Sequence, residues 1–83
     1  MRAMRIYFEN QAIKQLRKIP KSEVKKIDKK ICLLADNPKI GKRLTGELAG
    51  IYSVRAWPYR ILYEIEKDRI IICSVAHRQG VYK

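Results

Sequence analysis

The chain is predicted to fold as one α+β domain, with a helical hairpin packed on one face of an antiparallel sheet in the order β-α-α-β-β-β. Three observations predict this. Apolar residues at helical spacing are confined to the stretch 10–36. Alternating or β-branched runs fill 51–56, 59–65 and 69–76. Turn signals separate the runs: Pro20, Asp36-Asn37-Pro38, Trp57-Pro58 and Glu66-Lys67-Asp68. Helices and strands segregated in this way pack as two layers around one core.

Each element has its own justification. Residues 3–8 are short, apolar and aromatic, and read as a first strand. Asn10 is the expected N-cap of a helix that runs to about Lys18, with Ala12, Ile13 and Leu16 on one side. After Pro20, Ser22 is the expected cap of a second helix, and Glu23 suits its first turn. Val24, Ile27, Ile31, Leu34 and Ala35 form its apolar stripe. Lys25, Lys26, Lys29 and Lys30 on its other faces read as a solvated surface, with phosphate binding as the rival reading. Residues 37–50 read as a loop with three glycines, from which Leu44 and Leu48 dip into the core.

The three-strand unit that follows carries the chemistry. If Trp57-Pro58 is a two-residue connection, Ala56 pairs with Tyr59 and Arg55 lies opposite Arg60. Like charges so placed are destabilising. Either an anion sits between them, or both side chains splay into water. Tyr52, Tyr59 and Tyr63 alternate with the arginine face and read as core, and Trp57 as a turn anchor more than a base-stacking platform. With a two-residue Lys67-Asp68 turn, parity places Arg60 opposite Val75. His77, not Arg78, then continues the arginine face.

Composition bounds the partners. Eighty-three residues, 47% hydrophobic, with no repeat, low-complexity tract or linker, read as a single domain over residues 1–83. A domain of this size buries about 60% of its unfolded surface and has one modest core. Nineteen Lys and Arg against eight Asp and Glu give a net charge of +11. Such a surface attracts nucleic acid first, then an acidic protein, and an anionic membrane surface third. No run approaches the ~20 apolar residues of a membrane span, and the N-terminal apolar run is too short for a signal peptide. Cytoplasm is the default location. Cys32 and Cys73 read as small buried hydrophobes rather than a disulfide.

The chemistry is bounded by what is missing. The acids form no ligand cluster, and one His with two separated Cys makes no zinc pattern, so no metal site and no cofactor is expected. Phosphate-binding glycine motifs and a paired-carboxylate site are also lacking. Arg, Lys, Tyr and a single His remain. That set suits metal-free RNA cleavage, in which the 2′-hydroxyl attacks the neighbouring phosphate and guanidinium groups stabilise the developing charge. His77 starts nearest to neutral among possible proton carriers, whereas Tyr82 would need its pKa lowered by nearby arginines.

The pieces Leu44-x3-Leu48-x-Gly50-x-Tyr52-Ser53-Val54-Arg55, Tyr59-Arg60-Ile61-Leu62-Tyr63 and Val75-Ala76-His77-Arg78-x2-Val81-Tyr82 together resemble the RelE/ParE superfamily of toxin–antitoxin toxins, most closely its RelE-like branch. The element order agrees along essentially the whole chain. The resemblance implies a metal-independent endoribonuclease that cleaves messenger RNA in the ribosomal A site and is neutralised by a cognate acidic antitoxin protein. By position it implies catalytic roles for Arg55, Arg60, Arg78 and Tyr82. Lys39, Lys42, Arg43 and His77 are the expected RNA-binding residues around them. RelE itself has a lysine where this chain has Ser53, so one proton-transfer group of that branch is absent. ParE-like members share the fold but poison DNA gyrase, and that is the alternative reading.

Overall fold

A computed structural model describes residues 4–77 of the chain. The elements are β1 (Arg5–Phe8), α1 (Asn10–Arg17), α2 (Lys21–Asp36), β2 (Lys42–Arg43), β3 (Tyr52–Ala56), β4 (Tyr59–Glu66) and β5 (Arg69–His77). The α+β class and the helical hairpin are as predicted. The sheet has five strands in the order β1-β5-β4-β3-β2 and is mixed, because β1 pairs with β5 in parallel. The reason is the path of the chain. The two helices carry it from one edge of the sheet to the other, and β2, β3, β4 and β5 then return antiparallel until β5 meets β1.

Both helix starts lie one or two residues earlier than the side chains suggest. The N–H of Glu9 still bonds to the Ile72 carbonyl in the sheet (3.0 Å), while its own carbonyl already accepts from Ile13 N–H (3.1 Å). Glu9 therefore caps α1, and Asn10 is its first helical residue. The carbonyl of Pro20 accepts from Glu23 and Val24 N–H at 2.9 and 3.0 Å, so Pro20, not Ser22, caps α2. A proline sacrifices no donor at a helix start, where the N–H has no intrahelical partner anyway.

The stretch 37–50 is more ordered than a plain loop. Two short 3-10 turns, Pro38–Ile40 and Gly46–Leu48, flank the two-residue strand β2, which pairs Lys42 with Ser53 and Arg43 with Tyr52. Leu44 and Leu48 are only half-buried and lie outside the core cluster. The stretch is held through Tyr63, whose hydroxyl donates to the Pro38 carbonyl (2.7 Å) and accepts from Gly41 N–H (3.1 Å). Burial raises the pKa of this phenol. A side chain at Gly41 would meet the same hydroxyl, and its Cβ would lie 2.9 Å from the Ser53 carbonyl. Glycine is therefore required there for closeness of approach.

The core lies between the helices and one sheet face. Ala12, Ile27, Ile31 and Leu34 meet Ala56, Ile61, Tyr63, Ile70, Ile72 and Val75. Tyr63 is fully buried and stacks on Tyr52 with ring centroids 5.4 Å apart; Tyr52 and Tyr59 pack partly buried against the cluster. Cys32 departs from expectation by being exposed, because it falls off the α2 stripe that Ile27, Ile31 and Leu34 present to the sheet. Cys73 is half-buried, and both thiols are free. Beyond Ile72 the outer edge of β5 has no strand partner in β1, and the Gln15 side chain of α1 accepts from Val75 N–H there at 2.6 Å.

Two outcomes follow from this packing. Tyr63→Phe removes both hydrogen bonds that tie the 38–41 segment to the sheet, and should cost about 1–3 kcal/mol in urea denaturation with an unchanged slope. An unshifted midpoint would contradict that role. The second concerns Cys73, whose thiol is pushed from its ordinary 9.0 up to about 11, first by burial and then by Glu9 and Glu64. A maleimide at pH 7.5 should label Cys32 rapidly and Cys73 only after unfolding. Since the folded pKa is the higher one, stability due to the protonated thiol is present below about 9 and lost as pH rises through about 11. Equal labelling rates for the two cysteines in the folded chain would refute the assignment.

Candidate active site and nucleic-acid face

The site starts from the β3–β4 hairpin. Its connection is two residues, with a cis Trp57-Pro58 peptide, and the register is Ala56 opposite Tyr59 and Arg55 opposite Arg60. The alternation of a strand fixes the rest. Tyr52, Val54 and Ala56 face the helices with Tyr63, Ile61 and Tyr59, so Ser53 and Arg55 face away from them with Leu62 and Arg60. Arg55 is exposed and Arg60 half-buried on that outer face. Directly opposed residues in an antiparallel pair have Cα atoms about 4.5–5.5 Å apart, so the two guanidinium stems leave the sheet side by side.

The β4–β5 register differs from the parity expectation. Up to Tyr63, which is opposite Ile72, the count follows the Lys67-Asp68 turn; beyond it Leu62 is opposite Ser74, leaving Cys73 as an extra residue in β5. This bulge flips every later position. Arg60 therefore lies opposite Ala76, not Val75, and Val75 turns into the core at 1% exposure. His77 lies opposite Tyr59 and makes an edge contact with its ring, centroids 5.8 Å apart at 81°. His77 thus belongs to the helix-side face and does not continue the arginine face. There it lines a small groove with Gln15, Lys18 and Tyr59.

The remaining RNA-binding candidates divide in the same way. Lys42 pairs with Ser53 and shares the outer face with Arg55, one pleat along the strand. Arg43 pairs with Tyr52 and belongs to the helix-side face, and Lys39 lies on the 3-10 turn before β2. The hydroxyl of Ser53 is buried and has no hydrogen-bond partner among the described residues. Ser53 therefore offers no ammonium at the position of the missing lysine. Arg78 and Tyr82 lie outside the described residues. Among the described residues, no three His, Cys, Asp or Glu side chains stand together as a metal ion would need. No described helix is long and apolar enough to cross a membrane.

One grouping escaped the sequence reading. Lys26, Lys29 and Lys30 of α2 line a common groove with Arg55 and Trp57, while Lys25, Lys26 and Lys29 are exposed as a solvated face would be. The spacing of 26, 29, 30 and 33 as one helical stripe was the available signal.

Comparison with known proteins bears on the whole domain. Residues 6–82 match the model of the family described as the ParE toxin of the type II toxin–antitoxin system, parDE. Toxin RelG from Mycobacterium tuberculosis is 40% identical over 47 residues, which span 54% of this chain and 54% of that protein. The match therefore spans about half the length of that curated relative. Among solved structures, the toxin–antitoxin complex RelBE2 from Mycobacterium tuberculosis is similar with a TM-score of 0.86 and 32% identity, covering 94% of each chain. The YoeB–YefM complex from Staphylococcus aureus has a TM-score of 0.77 at 25% identity, covering 89% of this chain and 95% of that one. The isolated Escherichia coli RelE toxin has a TM-score of 0.79 at 24% identity over 90% and 84% of the two chains, a likeness of fold. With a family model matched along residues 6–82, the chain belongs to the ParE toxin family of type II toxin–antitoxin systems, within the RelE/ParE superfamily.

Proposed function

We propose that the chain is the toxin of such a pair and acts as a metal-independent, ribosome-dependent endoribonuclease on messenger RNA. The observation that carries this reading is the side-by-side placement of Arg55 and Arg60 on the sheet face turned away from α1 and α2. In the reaction the O2′–P bond forms and the P–O5′ bond breaks, leaving a 2′,3′-cyclic phosphate and a 5′-hydroxyl. The 2′-hydroxyl loses its proton and the departing 5′-oxygen gains one. Arg55 and Arg60 hold the charge that builds on the phosphoryl oxygens, which a fixed guanidinium fork does better than an ammonium. Lys42 extends the positive face along the strand. Arg78 and Tyr82 complete the set on the strength of the superfamily resemblance, and Tyr82 is the candidate proton carrier. His77 and Arg43 are phosphate contacts at the margin, since the register turns them to the other face.

With so little proton-transfer machinery beside the arginines, the ribosome is the natural source of alignment. Orientation of the 2′-hydroxyl in line with its phosphate is worth roughly 7–11 kcal/mol. A net charge of +11 suits a cognate acidic antitoxin, and the similar RelBE2 structure from Mycobacterium tuberculosis is a toxin–antitoxin complex. The second reading is a gyrase-poisoning module without nuclease activity, favoured by the ParE family match itself.

The two readings separate in one variant series. Arg60→Ala should lower ribosome-programmed mRNA cleavage about 10²–10³-fold, by analogy with removing one oxyanion donor. Arg55→Ala should also lower it, and it relieves a like-charge pair worth within ~0.2–1 kcal/mol, so its melting temperature should stay unchanged or rise slightly. Full cleavage by both folded variants would sink the catalytic assignment. Gyrase-linked DNA breaks without new mRNA 5′-ends, on inducing the wild-type chain alone, would establish the second reading instead.

A further inference from the structure

The stripe Lys26, Lys29, Lys30 and Leu33 on α2 runs along the β3–β4 connection and, with Arg55 and Trp57, encloses a groove of about 510 Å³. Its composition is unusual in two respects. Among the described residues, four cations line it and no carboxylate does. Trp57 is 56% exposed, although a residue of that size usually buries its ring. The hairpin is tied to the helix here, because Lys26 Nζ donates to the Trp57 carbonyl at 3.5 Å and pairs with Glu23 at 3.2 Å. The groove is also continuous with the arginine pair, since Arg55 lines it and lies opposite Arg60.

We propose that this groove holds the single-stranded messenger RNA flanking the cleaved bond, with one nucleobase stacked on the Trp57 indole and neighbouring phosphates on Lys26, Lys29 and Lys30. The proposal rests on the nuclease reading for the identity of the strand. Single-stranded nucleic acid calls for a cationic track beside an aromatic platform, and the groove supplies both. A helical protein segment would instead call for apolar anchor sites at helical spacing. Among the described residues the apolar lining comes from Leu33, the small Ala56 and the indole, without a run of anchor sites at helical spacing, beside four cations. The strand would pass from the α2 lysines over the hairpin connection and onto the outer face, where Arg55 hands it to Arg60. Trp57 would fix which nucleotide stands beside the reacting phosphate, and so bias the position of cleavage.

The test uses the fact that Trp57 is the only tryptophan in the chain. The purified full-length protein is titrated with a ten-nucleotide RNA, 2′-O-methylated throughout to prevent cleavage. Saturable quenching of tryptophan emission is expected, and an abasic oligomer of equal charge should bind without it. Lys29→Ala and Lys30→Ala should each reduce the slope of log affinity against log salt by about 0.7. Trp57→Leu, followed by anisotropy of labelled RNA on a variant with wild-type circular dichroism, should weaken binding about 5–150-fold. RNA binding with unchanged emission, or with salt slopes untouched by both lysine variants, overturns the proposal. So does quenching by a glutamate-rich helical peptide that displaces the RNA, which would give the groove to a protein partner. Ribosome-programmed cleavage on the same wild-type sample keeps the two readings apart. Cleavage without quenching removes this site alone, whereas quenching without cleavage leaves the RNA site standing and removes the nuclease reading.

Discussion

Two helices give this sheet only one apolar cover, and most of the molecule follows from that. Ala12, Ile27, Ile31 and Leu34 present one stripe, which the inward side chains of β3, β4 and β5 match. In an 83-residue domain a second core is not available. The opposite face must therefore remain tolerant of water. Charged side chains there cost less in desolvation than they would in the core, so Arg55 and Arg60 can be neighbours across the hairpin. Burying one face and leaving the other to charge are the same constraint.

The large elements were legible in the sequence because each is written in a local period. The α2 stripe, the β3–β4 hairpin and the Arg55–Arg60 pairing follow from spacing and one two-residue turn. What was not legible depends on partners distant along the chain. Glu9 caps α1 because its N–H is taken by Ile72, and nothing near residue 9 announces that. The strand β2 is two residues long and is held through contacts of its neighbours with Tyr63, so it carries no period of its own. The bulge at Cys73 has no glycine or proline to mark it, yet it reverses the facing of Val75, Ala76 and His77. A parity count is only as good as the assumption that every residue is paired.

That one unpaired residue decides how the basic side chains are shared out. With an uninterrupted ladder, Val75 would stand beside the arginines and His77 would join them. The bulge places the small side chain of Ala76 next to Arg60 and sends His77 to Tyr59. The outer face thereby carries the arginine pair and Lys42 without the imidazole.

The parallel pairing of β1 with β5 has a bearing on how the molecule comes into being. Residues 5–8 hydrogen-bond with 69–72, so the earliest strand in the chain waits for one of the last. Until β5 is in place, β1 has no neighbour and β4 has an open edge. Pairings this distant in sequence are reached late, because loop closure precedes the contacts that reward it. A nascent chain on the ribosome can close the Arg55–Arg60 hairpin locally but cannot seat it in a finished sheet. A truncated translation product lacking β5 would therefore leave β1 unpaired and the hairpin on an unfinished sheet.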